Sequence, residues 1–171
     1  MNGKENVCPI LPRQFAKCER SVRVVSQVVV DASLAVKLVL IEEDTETARR
    51  LWLDWTSSQT QRVAPALFVF ESISAIRWNI IRKLTSVAAA DVAFQEFLEY
   101  AQDVQLLMPP TLHQRAWEIA KQLGQGQVYD SYYVALAEIL DCELWTADDK
   151  LYRAALGVYP KVKHIRHARR K

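Results

Sequence analysis

"QVVVDAS", residues 27–33, sets three consecutive valines directly before an acid. A continuous β-branched run of this kind predicts a strand buried on both faces, as in a parallel sheet. Reading outward from it, Ala32 to Leu40 has helical spacing. "EEDTETARRLWLDWTSS" resumes that spacing, with Leu51 and Trp55 four apart. "RVAP" is a short second strand, and Pro65 suits the first position of the helix "ALFVFESISAIRWNIIRKL", where Phe70, Ile73, Arg77 and Ile80 step along one side. "SVAAADVAFQEFLEYAQ" reads as a further helix, and "VQLLMPP" as a third strand closed by its prolines. "TLHQRAWEIAKQLG" is helical between Thr111 as N-cap and Gly124 as C-cap. "YDSYYVALAEILD" is the last long helix, "CELWTADD" a fourth strand, and "KLYRAALG" a short closing helix.

Strands alternating with helices predict an α/β fold, a parallel sheet with helices on both faces joined by right-handed crossovers. No linker divides residues 28–160, which read as one domain. Residues 1–27, with two prolines and no sustained period, read as a flexible N-terminal extension. Neither an internal repeat nor a Gly-rich phosphate loop is present.

The chain of 171 residues is half hydrophobic and one quarter charged, the profile of a soluble globular domain. Its formal charge of +2 is unevenly spread. Residues 28–160 hold 11 Lys/Arg against 18 Asp/Glu, a net charge of −7, while the tail "KVKHIRHARRK", 161–171, holds six basic groups and no acid. Such a tail either contacts phosphates or is a solvated terminus. Cys8, Cys18 and Cys142 form no CxxC pair and no Cys/His metal spacing. Their odd number, without a secretory signal, points to a reducing compartment, and no run approaches the ~18 apolar residues of a membrane span. The expected location is the cytoplasm.

Four acids stand out. In an open parallel sheet, ligands bind beyond the carboxyl ends of the strands. Asp31 ends the first strand and Asp148 follows the fourth. Glu71 lies one to two turns into the helix after the second strand, and Asp130 near the start of the helix before the fourth. Glu71 and Asp130 both sit among apolar neighbours, where an unpaired carboxylate costs several kcal/mol. A shared divalent cation would remove the burial and repulsion problems together, and hard Mg2+ or Mn2+ prefers carboxylate oxygens and retained waters. The chemistry natural to that arrangement is phosphodiester hydrolysis. Each acid also has a plainer reading. Asp31, Asp130, and Asp148 or Asp149 would serve as helix caps, and Glu71 as a rim residue. Between the last two, Asp149 reads as the more exposed and the cap, and Asp148 as the ligand.

At these residues the sequence resembles the PIN-domain nucleases, and in particular the VapC-type toxins of toxin–antitoxin operons. The segments that carry the resemblance are "VVVDASLAVKLVLIEED", "VAPALFVFESISAIR", "YDSYYVALAE" and "LWTADDKLYRAA", in family order over about residues 28–156. The resemblance implies a three-layer α/β/α domain with a mainly parallel sheet of four or five strands. It implies a Mg2+- or Mn2+-dependent endoribonuclease, a homodimer, and inhibition by a cognate antitoxin protein. By position it makes Asp31 and Asp130 the most direct metal ligands, with Glu71 and Asp148 completing the catalytic cluster. Ser33 and Thr146 fall where the family often has a hydroxyl that bonds a carboxylate or substrate.

An acidic pocket that takes a polyanion needs a basic rim. Lys37, Arg77, Arg82, Lys150 and Arg153 are candidates, Lys150 first because it stands two residues from Asp148. Single-stranded RNA is the expected substrate form, since an exposed strand can reach a recessed site. Two other readings compete: a PIN-like module that binds RNA or protein without cutting, and a doubly wound phosphatase or nucleotide-binding domain, which would want a Gly-rich loop. Trp52, Trp55 and Trp78 read as core, with a groove for a partner helix as the alternative.

Overall fold

A computed structural model describes residues 26–168. The expected extension at 1–27 lies, but for its last two residues, outside them, as do the last three residues of the tail. The valine run becomes β1 (Gln27–Val30), and its last three residues are buried, as a central strand requires. It is followed by α1 (Ala32–Val39), α2 (Thr45–Ser57), β2 (Gln61–Ala64), α3 (Leu67–Ile81), α4 (Val87–Gln102) and β3 (Val104–Leu106). The chain continues through α5 (Leu112–Gln122), α6 (Tyr129–Leu140), β4 (Glu143–Thr146), α7 (Asp149–Leu156) and β5 (Val162–His164), with a 3-10 turn at Ile165–His167.

All strand pairs are parallel, in the order β3-β2-β1-β4-β5. β1 therefore lies at the centre, with Val29 opposite both Val63 and Leu144. Right-handed crossovers put the helices leading from β1 to β2 to β3 on one face and the α5–α6 pair returning from β3 to β4 on the other. The resulting three-layer α/β/α sandwich closes on Val29, Leu34, Leu38, Phe68, Phe97, Tyr133, Leu136 and Leu144, all fully buried. Among the described residues no helix is long and apolar enough to cross a membrane.

Three features depart from the sequence reading. The fifth strand comes from the basic tail: Val162, His164 and Ile165 are buried, and β5 pairs with β4, so the tail is part of the sheet up to that point. On α3 the inward stripe is Phe68, Ser72 and Ile76, whereas Phe70 and Arg77 are exposed. That helix is apolar on nearly every side, so its periodicity could not phase it. Trp52 and Trp55 are core residues, with Trp55 edge-on to Trp145 at 5.8 Å, but Trp78 is 56 % exposed.

Candidate active site

The carboxyl ends of β1 and β4 are neighbours, which brings Asp31 and the Thr146–Asp148 loop together. The Asp31 N–H donates to the Trp145 carbonyl at 3.0 Å, extending the ladder one residue past β1. Asp31 is 5 % exposed and makes no side-chain cap to α1. Its Oδ2 instead accepts from the Ser33 and Thr146 hydroxyls, the latter at 2.7 Å. Those hydroxyls in turn accept the backbone N–H groups of Ala147 and Asp148, both at 2.9 Å. Amide, hydroxyl and carboxylate thus form two short chains that lock the loop after β4 onto the end of β1.

Glu71 sits at the start of α3, the helix after β2. Its Oε2 accepts from the Tyr133 hydroxyl at 2.6 Å. Tyr133 lies on α6 one turn beyond Asp130 and is fully buried. Asp130, half-buried, has its Oδ2 within 3.5 Å of the Gln125 side-chain Nε2, and the buried Ser131 hydroxyl donates to Gln125 Oε1 at 2.9 Å. Asp148 is the N-cap of α7: its backbone is extended and its Oδ1 accepts from the N–H groups of Lys150 and Leu151, at 2.6 and 3.1 Å.

The cap, and the more exposed of the two adjacent acids, is thus Asp148 and not the expected Asp149. Asp148 caps and is exposed; Asp149, already helical, is half-buried and paired with Arg166 at 3.3 Å. Capping uses one oxygen only. In all four carboxylates one oxygen is held by a protein donor and the other meets no donor among the described residues.

The four charges feel one another. Burial pushes the Asp31 carboxyl up to about 6 despite its two hydroxyl donors, and the charges of Asp130 and Asp148 push further. Burial likewise raises Glu71 to about 7, against the pull of the Tyr133 hydroxyl and with Asp31 and Asp130 adding to it. Asp130 is raised by burial and by Asp148. The Tyr133 phenol is driven far above its ordinary value by burial and by the Asp31 and Glu71 charges, so it stays a donor. At neutral pH the cluster carries repulsion that no ion pair among the described residues offsets.

An all-oxygen donor set with one free oxygen per carboxylate suits a hard divalent cation. As the side chains lie, no three His, Cys, Asp or Glu among the described residues converge on one point. Around the cluster, Lys150, Arg77 and Arg153 are exposed and form no ion pair among the described residues. Lys37 is tied to Glu42 at 3.0 Å, and Arg82 lies over the Trp78 ring at 5.9 Å.

Tyr133 and Gln125 escaped the sequence reading. Tyr133 stands three residues after Asp130, hence on the same helix side, which was the available signal. The Gln125 contact depends on how the "GQGQ" loop turns, with Gly124 at φ +63°, and no periodicity reveals it.

Residues 28–156 match the family model for the PIN domain. The chain is 38% identical over 125 residues to Ribonuclease VapC12 of Mycobacterium tuberculosis, an alignment covering 72% of this chain and 88% of that protein. Among solved structures it is similar to PAE2754 from Pyrobaculum aerophilum, with a TM-score of 0.56 at 21% identity over 82% of this chain and 90% of that one. It is also similar to FitAcB from Neisseria gonorrhoeae, with a TM-score of 0.54 at 19% identity over 82% of this chain and 99% of that one.

Proposed function

The chain belongs to the PIN domain family, in its VapC-type branch, and from that premise we propose that it is a Mg2+- or Mn2+-dependent endoribonuclease hydrolysing phosphodiester bonds of single-stranded RNA. One observation carries the reading: four carboxylates from four separate elements gather at one sheet edge, each with one oxygen held by the protein and one left over. A divalent cation bound there would supply Lewis-acid charge to the phosphate and lower the pKa of a water.

The residues divide the work. Ser33 and Thr146 fix Asp31 through Oδ2 and leave Oδ1 without a donor among the described residues. Tyr133 does the same for Glu71, and Gln125 for Asp130. Asp148 closes the cluster from the α7 side while its second oxygen is committed to the cap. Asp31, Glu71, Asp130 and Asp148 would hold the cation, and Lys150 stands where its ammonium can meet a substrate phosphate. In this reading the protein is the cytoplasmic, homodimeric toxin of a pair, silenced when a cognate antitoxin protein covers the acids.

A second reading has one observation in its favour. Because no three of the acids converge as they lie, a PIN-like module that holds RNA without cutting it also suits the geometry. Purified protein, a labelled single-stranded RNA and Mn2+ separate the two. Internal cuts that disappear with chelator and in Asp31→Asn support the nuclease; RNA retained intact under every divalent cation leaves only the binding module.

A further inference from the structure

Phe70 immediately precedes Glu71, and Tyr129 immediately precedes Asp130. Both aromatics lie in the first turn of their helices, at the same sheet edge as the acids, and they are 72 % and 54 % exposed. Neither stacks on another ring or on a cation among the described residues. Each presents a ring to solvent and is the immediate sequence neighbour of a carboxylate. Successive helical residues are about 100° apart around the axis. Each ring therefore leaves its helix on a different side from the neighbouring acid and does not cover it.

The acidic cluster repels a polyanion, so a substrate strand gains from a source of affinity that adds to the few basic groups near it. Base–aromatic stacking contributes about 1–3 kcal/mol per base and tolerates any sequence. Stacking also requires an unpaired base, which a duplex does not offer. Exposed Arg77 lies two turns along α3 from Phe70, and Lys150 and Arg153 on α7, available to the phosphates of a strand threaded past the acids. Resting on the reading that the site acts on RNA, we propose that Phe70 and Tyr129 are stacking platforms for unpaired bases of the substrate strand beside the Asp31–Glu71–Asp130–Asp148 cluster.

The test uses the full chain with Asp31→Asn as an uncut background, and anisotropy of a fluorescent, unstructured single-stranded oligoribonucleotide. Adding Phe70→Ala or Tyr129→Ala should weaken binding about fivefold or more, while Phe70→Trp restores it. Abasic sites walked along the RNA should weaken binding to the background protein at particular positions, and each platform variant should abolish one of those position effects. Equal affinity for all variants overturns the proposal. So does an abasic profile unchanged by the variants, or a loss of affinity that tracks a shift from dimer to monomer in sedimentation, which would assign the rings to a protein interface. Cleavage by the unmodified chain in Mn2+ is scored separately: stacking without cutting sinks the nuclease and leaves the platforms standing.

Discussion

The Tyr133 hydroxyl, buried on α6, donates at 2.6 Å to Glu71 Oε2 on α3, 62 residues away in sequence. Asp130 lies three residues before Tyr133, so one helix side delivers an acid and the donor that steadies another acid. Tyr133→Phe keeps the ring and removes the donor, leaving Glu71 without its partner. A hydrogen bond to a charged group contributes about 1.5–3 kcal/mol. The expected result is a kcat lower by on the order of tenfold with KM nearly unchanged. The rising limb of the pH–rate profile should move to higher pH, since the lost bond was pulling the Glu71 carboxyl down. Identical pH profiles for the variant and the parent would remove Tyr133 from this role.

Asp31 is charged at a cost. Its carboxyl is raised from 3.8 to about 6 by burial, which at 1.36 kcal/mol per unit is roughly 2–3 kcal/mol of instability at neutral pH. Asp31→Asn keeps a carbonyl oxygen for the Ser33 and Thr146 hydroxyls and drops the charge. Without divalent cations at pH 7.5, the variant should therefore melt higher than the parent, by on the order of 5 °C, while losing activity altogether. Thermal melts in chelator decide it. A lower Tm for the variant would mean that the charged form is already offset within the protein.

The same shifts set a pH dependence. Asp31 and Glu71 bind protons more tightly folded than unfolded, with folded values of about 6 and about 7 against ordinary values of 3.8 and 4.5. Stability from these groups is full below about pH 4 and is lost as pH rises through 6 to 7. Metal-free protein should show a falling urea midpoint between pH 5 and 7.5. Mn2+ should raise the midpoint strongly at pH 7.5 and little at pH 5, where protons compete for the same oxygens. A cation effect independent of pH would place binding away from these acids.

How much of this was legible in the sequence depends on the residue. β1 and Asp31 could be read directly, because a buried central strand leaves an uninterrupted valine run and its end is marked by an acid. The alternation of strands and helices gave the parallel sheet for the same reason. α3 could not be phased, since an all-round apolar helix has no single wet side, and its buried phenylalanine is Phe68 while Phe70 faces solvent. The roles of Asp148 and Asp149 depended on one backbone angle at Asp148, which composition does not encode. β5 was hidden because its lysine and histidine side chains disguise a buried strand of three residues, VKH, inside a basic run.

That basic run supplies the last prediction. Arg166 belongs to the basic tail, and its charge is already in use: Nε lies 3.3 Å from Asp44 and Nη1 3.3 Å from Asp149. Its N–H donates to Nδ1 of the buried His164 at 3.2 Å, and burial holds that imidazole below its ordinary pKa. The segment thus ties the α1–α2 loop to the first turn of α7, next to the Asp148 cap. Exposed ion pairs contribute about 0–1 kcal/mol, so Arg166→Ala should cost no more than a few degrees in Tm. Arg166→Glu sets a third carboxylate between Asp44 and Asp149 and should cost more, with the excess shrinking as salt screens the repulsion. RNA affinity of the Asp31→Asn background should be unchanged by Arg166→Ala measured at the same ionic strength. Weaker RNA binding with an unaltered melt would make Arg166 a phosphate contact instead.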